Sequence, residues 1–161
     1  MYYLIVVAAL VFGLPVTSIA VEMLVGNASV VFLVGKWFVF WSVGARLLVA
    51  GFWQVLNPAF TARTVFGTED SGALRIVPGL GFGNVAIGVL GLASMNFQTW
   101  IMPAAVCGAI FCGLAAMGRL RNDRRNRMEN IAFLSDAWIA LVLTLYVAAT
   151  ILSGQDHIVR F

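Results

Sequence analysis

Apolar runs of membrane-crossing length alternate with short polar breaks along this chain, and the alternation predicts its elements. Residues 2–25 are apolar over the length a hydrocarbon core requires, about 20 helical residues. Pro15 predicts a bend there, because its ring removes a backbone donor and crowds the preceding turn. Ser18-Ile19-Ala20 has the small-x-small form of a leader cleavage site. The start Met-Tyr-Tyr lacks a basic stretch, so a retained helix is expected. Gly26-Asn27-Ala28-Ser29 makes the first turn; its N-x-S pattern matters only in a glycosylating secretory system. Lys36 opens the second run, 37–56, which carries Trp37 and Trp41 at one end and Trp53 at the other, as interfacial aromatic belts do. Asn57-Pro58 ends it, since a residue before proline is pushed out of the helical region.

Residues 59–76 form the longest connection, in which Thr68-Glu69-Asp70 offers a cap for a short interfacial helix. The remaining runs are 77–95, 100–118 and 131–152, and the short turn 96–99 makes the third and fourth an antiparallel hairpin. The expected architecture is an all-α integral membrane protein, a single domain over 1–161 with about five transmembrane helices. Four crossings are the alternative if residues 26–36 form a re-entrant segment rather than a join.

Small residues mark where helices should touch. Gly79-Leu80-Gly81-Phe82-Gly83 has the look of half a dinucleotide fingerprint, but no strand precedes it and an apolar run follows, so the phosphate reading fails. Close helix packing through Gly79 and Gly83, four apart, is expected instead. Ala104, Gly108, Cys112 and Ala116 recur every four residues as a second packing ridge, whose partner helix can belong to this chain or to another.

Composition supports the membrane assignment. Hydrophobic residues make up 61% of the 161 and charged residues 11%, against about 45–50% and about 25% in soluble proteins. The net charge of +3 does not point to nucleic acid, because half of the cations crowd one loop between apolar runs. That loop, 119–130, carries Arg119, Arg121, Arg124, Arg125 and Arg127. Five crossings with this loop inside place the N-terminus inside and the C-terminus outside. The inside then also holds Arg63 and Arg75, seven cations in all, while the outside holds Lys36 and Arg160. The arginine loop is therefore expected on the cytoplasmic side of a bacterial inner membrane, in contact with anionic headgroups.

Candidate chemistry is sparse. Ionisable groups inside membrane spans are costly and mark functional or structural sites. Glu22 and Lys36 lie near the outer ends of the first two spans, where they can form an interfacial ion pair. Arg46 lies midway along the second span, and Asn84 and Asp136 lie one to two turns inside the third and fifth. An Arg46–Asp136 pair completed by Asn84 would hold three helices in register. The alternatives are a pocket for a lipid headgroup, quinone or small anion, and a conducting path. His157 is the chain's single histidine, so bis-histidine haem within the chain is excluded, and one histidine with two cysteines argues against a metal site. Cys107 and Cys112 are five apart, about 140° around a helix, and read as core residues rather than a redox pair. Ser42, Ser94 and Ser135 have no base at a recognisable spacing. No catalytic residue, metal or cofactor is expected.

From Gly83-Asn84-Val85-Ala86-Ile87-Gly88-Val89-Leu90-Gly91 through Gly118 to Asn130 and Asp136, the chain resembles a group of small bacterial inner-membrane proteins of unknown function, loosely similar to the DoxX-like helical class. The resemblance covers roughly the second half and implies a fold and no activity. Arg119 stands where the group would have a histidine. The function expected from these features is a structural or accessory subunit of a larger membrane complex. The alternatives are a homo-oligomeric carrier or channel lined by Arg46, Asn84 and Asp136, or a lipid- or quinone-binding protein.

Overall fold

The structure is a computed structural model in which residues 2–64, 67–68, 70–121 and 126–154 are described. Among the described residues it is all-helical, without strands. Five helices are long and apolar enough to cross a membrane. They are α1 (Leu4–Val25), α2 (Val30–Leu56), α4 (Ser71–Ala93), α5 (Gln98–Leu120) and α6 (Arg127–Leu152). A short helix, α3 (Pro58–Thr64), connects α2 to the loop before α4.

Caps move two boundaries away from the hydropathy limits. Ser29 Oγ accepts the Phe32 N–H at 3.3 Å and starts α2 at Val30. Residues 26–29 alone are non-helical, so α1 and α2 are separate helices and Lys36 sits inside α2 rather than at its mouth. Asp70 accepts the Gly72 N–H at 3.1 Å and starts α4 at Ser71, well before residue 77. Asp70 therefore caps a long helix; Glu69 lies outside the described residues. The short helix begins instead at Pro58, with Asn57 Oδ1 accepting the Phe60 N–H at 3.2 Å.

The effect of Pro15 in α1 is a widened π-helical segment, Ala9–Gly13, immediately before it. A second π-helical segment, Val39–Ala45, lies in α2. The two segments touch where the Ser42 hydroxyl, inside the second, donates to the Leu10 carbonyl inside the first at 3.1 Å. The wider turn in α2 also changes the phase between Lys36 and Arg46, so one faces α1 and the other faces α6.

Glycine, rather than bulk, sets the α2–α4 contact. The residues of α4 buried against its neighbours are Val77, Gly81, Asn84, Gly88 and Gly91, alternating four and three apart. Gly44 and Gly51 answer them from α2: a Cβ at Gly91 would lie 2.6 Å from the Gly44 nitrogen, and one at Gly51 would lie 2.7 Å from the Gly81 carbonyl oxygen. The expectation that Gly79 and Gly83 form the packing face is corrected here. Gly81 lies two residues, about 200°, around the helix from Gly79 and from Gly83. The face holding Gly81 turns to α2, and the face of Gly79 and Gly83 turns outward. A Cβ on Gly79 or Gly83 meets nothing within 4 Å.

The α5 ridge is used within the chain. Ala104, Gly108, Cys112 and Ala116 are all buried, and a Cβ at Gly108 would lie 2.6 Å from Val43 of α2 and 3.1 Å from Leu143 of α6. Around this ridge the core gathers Val39, Val43, Ile101, Ile139 and Leu143. On the outside of the bundle, α1 is pinned to α6 by Phe12 stacking on Trp138 at 5.5 Å between ring centroids.

Candidate functional site

Two arginines inside this bundle converge on the buried carboxylate of Asp136. On α6 the buried positions Glu129, Ala132, Asp136, Ile139, Leu143 and Tyr146 alternate three and four apart, so Asp136 lies on the inward stripe. It follows the start of α6 at Arg127 by nine residues, about 13 Å of helix. Arg46 Nη2 meets Asp136 Oδ1 at 2.5 Å, and the Ser135 hydroxyl accepts from the same guanidinium nitrogen at 3.2 Å. The expected Arg46–Asp136 contact is present.

The third partner is Arg119, not Asn84. Arg119 Nη1 pairs with Asp136 Oδ2, so one carboxylate ties α2, α5 and α6 together. Cα–Cβ bonds tilt toward a helix N-terminus, so in the antiparallel α5–α6 hairpin Arg119 leans into the bundle while Asp136 leans up to meet it. Side-chain exposure is 12% for Arg46, 20% for Arg119 and 6% for Asp136, which makes this an interior network rather than a loop contact. Arg119 is accordingly removed from the headgroup-facing set. Arg121 and Arg127 are exposed at the loop; Arg124 and Arg125 lie outside the described residues. The Cys112 thiol borders the network beside Arg46. It and Cys107 are free cysteines.

Asn84 belongs to a second polar tie. Its Nδ2 donates to Gln54 Oε1 at 2.6 Å, and its Oδ1 is buried without a partner among the described residues. Arg46 follows Gly44 by two residues, about 200° around α2, and therefore points away from α4. Gln54 lies eight residues further along α2, about 12 Å from the level of Arg46. The earlier start of α4 also puts Asn84 thirteen residues into that helix rather than one to two turns. The three residues expected to share one cluster thus form two, on opposite sides of α2.

At the other end of the bundle the expected Glu22–Lys36 pair is formed. Lys36 Nζ reaches Glu22 Oε1 at 2.7 Å and Oε2 at 2.8 Å. Trp37, read from sequence as a belt residue, donates its indole N–H to Glu22 Oε2 at 2.7 Å. Trp41 does the same to the Ser18 hydroxyl at 3.0 Å. Lys36 also lies 5.0 Å from the Trp37 ring centroid. The three serines considered for chemistry are occupied structurally: Ser42 donates to Leu10, Ser94 to the Gly91 carbonyl and Ser135 to the Ala132 carbonyl. Among the described residues no group of three or more His, Cys, Asp or Glu side chains could hold a metal ion. His157 lies outside the described residues.

Fold and site together define a small helical bundle with five membrane-length helices, tied by a buried carboxylate between two arginines. Comparison with family models, with curated proteins and with solved structures gave no match.

Proposed function

We propose that this chain is a multi-pass protein of a bacterial inner membrane, with the arginine loop and N-terminus cytoplasmic and the C-terminus outside, and that it serves as a structural or accessory subunit of a larger membrane assembly. The observation that carries this reading is how the interior polar groups are used. Asp136 joins three helices, and Asn84 joins Gln54 on the far side of α2. A carrier or channel needs such groups along one continuous route, whereas these are arranged as separate ties between helices. The cationic end, with Arg75, Arg121 and Arg127 exposed, would rest against anionic headgroups at about 1 kcal/mol per basic residue. The proposed kinship to DoxX-like proteins is one of fold, with no activity carried over.

The proposed docking face is not the Ala104–Ala116 ridge, whose residues are buried inside the chain. Gly79 and Gly83, outward and uncontacted, give α4 a small-x-x-x-small surface for a helix of another subunit. Gentle detergent extraction followed by mass spectrometry of the co-migrating species tests this. The expected result is a stoichiometric set of other membrane proteins, lost in Gly83→Leu while the chain's own melting temperature is unchanged. A homo-oligomer without partners, or a complex indifferent to Gly83→Leu, contradicts it.

A further inference from the structure

An open groove of about 450 Å³ runs along the α1–α2 seam at the end opposite the arginine loop, lined by Thr17, Ser18, Val21, Glu22, Val25 and Trp37. A second groove, of about 320 Å³, lies over Ala109, Ile110, Gly113, Leu114, Met117 and Thr144 and carries no charged group. The first therefore differs from ordinary lipid-facing surface in being lined by a carboxylate, Glu22, whose partner Lys36 adjoins the lining at 2.7 Å.

That pair has capacity left in two directions. A carboxylate offers about four acceptor positions. Glu22 Oε2 accepts from both Lys36 and Trp37, while Oε1 accepts from Lys36 alone. An ammonium has three N–H donors, and Lys36 places two on Glu22. Among the described residues this leaves one acceptor position on Glu22 Oε1 next to one donor on Lys36 Nζ, 2.7 Å apart. Both side chains keep an open edge, 28% exposed for Glu22 and 17% for Lys36.

An adjacent free acceptor and free donor complement a headgroup that carries both an N–H donor and a phosphate. We propose that this groove retains one phospholipid with a primary-ammonium headgroup: the ammonium donates to Glu22, a phosphate oxygen accepts from Lys36, and an acyl chain runs inward along Val21 and the Thr17 methyl. A choline headgroup is quaternary and has no N–H to donate. A glycerol headgroup lacks the cation that Glu22 attracts. The site rests on the membrane reading proposed above.

Native mass spectrometry of the full chain, equilibrated in detergent with equal amounts of phosphatidylethanolamine, phosphatidylcholine and phosphatidylglycerol, tests the proposal. One retained phosphatidylethanolamine is expected, preferred over each of the others by about tenfold, the effect of one charge-assisted hydrogen bond. Glu22→Gln should bring that ratio close to one. Val21→Trp fills the groove without touching the ion pair and should abolish retention. Equal retention of the three lipids, or a preference that survives both variants, overturns the site while leaving the membrane reading intact. Release of the chain from membranes by alkaline carbonate overturns the membrane reading and the site with it.

Discussion

Asp136→Leu is expected to cost about 3–5 kcal/mol of stability and to be the most damaging single change in the Arg46–Asp136–Arg119 network. Removing one partner of a buried ion pair takes away the attraction that offsets desolvation of the other charge, and that is the source of the penalty. Here a single substitution strips the carboxylate from two guanidiniums at once, Arg46 and Arg119. Arg46→Leu should cost less, because Asp136 keeps Arg119. Arg119→Leu should cost least, since its side chain is the most exposed of the three at 20%. Arg46→Leu combined with Asp136→Leu should fall well short of the sum of the singles, as expected for groups in one network. Thermal unfolding in detergent reads all four variants. Unchanged melting temperatures for both Arg46→Leu and Asp136→Leu would remove the ion pair from any structural role.

Gly88→Leu is expected to separate α2 from α4, at more than the roughly 1–3 kcal/mol typical of overpacking a core. The first atom added at Gly88 would lie 2.6 Å from the Leu48 nitrogen and 3.0 Å from the Gly44 carbonyl oxygen. Both belong to backbone, so no rotamer change on α2 can make room. Gly83→Ala is the matched control on the same helix, where a methyl meets nothing within 4 Å. It should be neutral or stabilise the isolated chain by up to about 1 kcal/mol through helix propensity. If the two substitutions shift melting equally, the glycine interlock between α2 and α4 is wrong.

Hydropathy made the five long helices legible, because each apolar run is a whole element and each break carries turn residues. Boundaries were less legible where a cap lies inside polar sequence, as with Ser29 and Asp70. The site was half legible. Arg46 and Asp136 stood out as charges in apolar runs, and their separation along the helices matched one level of the bundle. Arg119 was concealed by its company, five arginines that together read as a loop facing headgroups. A signal was present, since Arg119 follows Ala116 by three residues and so continues the Ala104–Ala116 ridge into the bundle. Asn84 sits elsewhere for a different reason: α4 starts at Ser71 rather than at residue 77, which puts it deeper along the helix. Its spacing from Gly81, Gly88 and Gly91 places it on the α2-facing stripe, on the side of the helix opposite Gly79 and Gly83. Four-three alternation marks the buried stripe of α4, whereas the single four-residue spacing of Gly79 and Gly83 marks its outward side.

The most direct measurement is cysteine labelling in intact cells with a membrane-impermeant thiol reagent, after Cys107 and Cys112 are replaced by alanine. Single cysteines at Asn27 and Asn96 lie in the turns at one end of the bundle, and one at Arg121 lies at the arginine-loop end. The expected result is labelling of positions 27 and 96 from outside, with position 121 labelled only after the membrane is permeabilised. Labelling of position 121 in intact cells, or equal labelling of all three sites, would contradict a five-crossing bundle with its arginine loop in the cytoplasm.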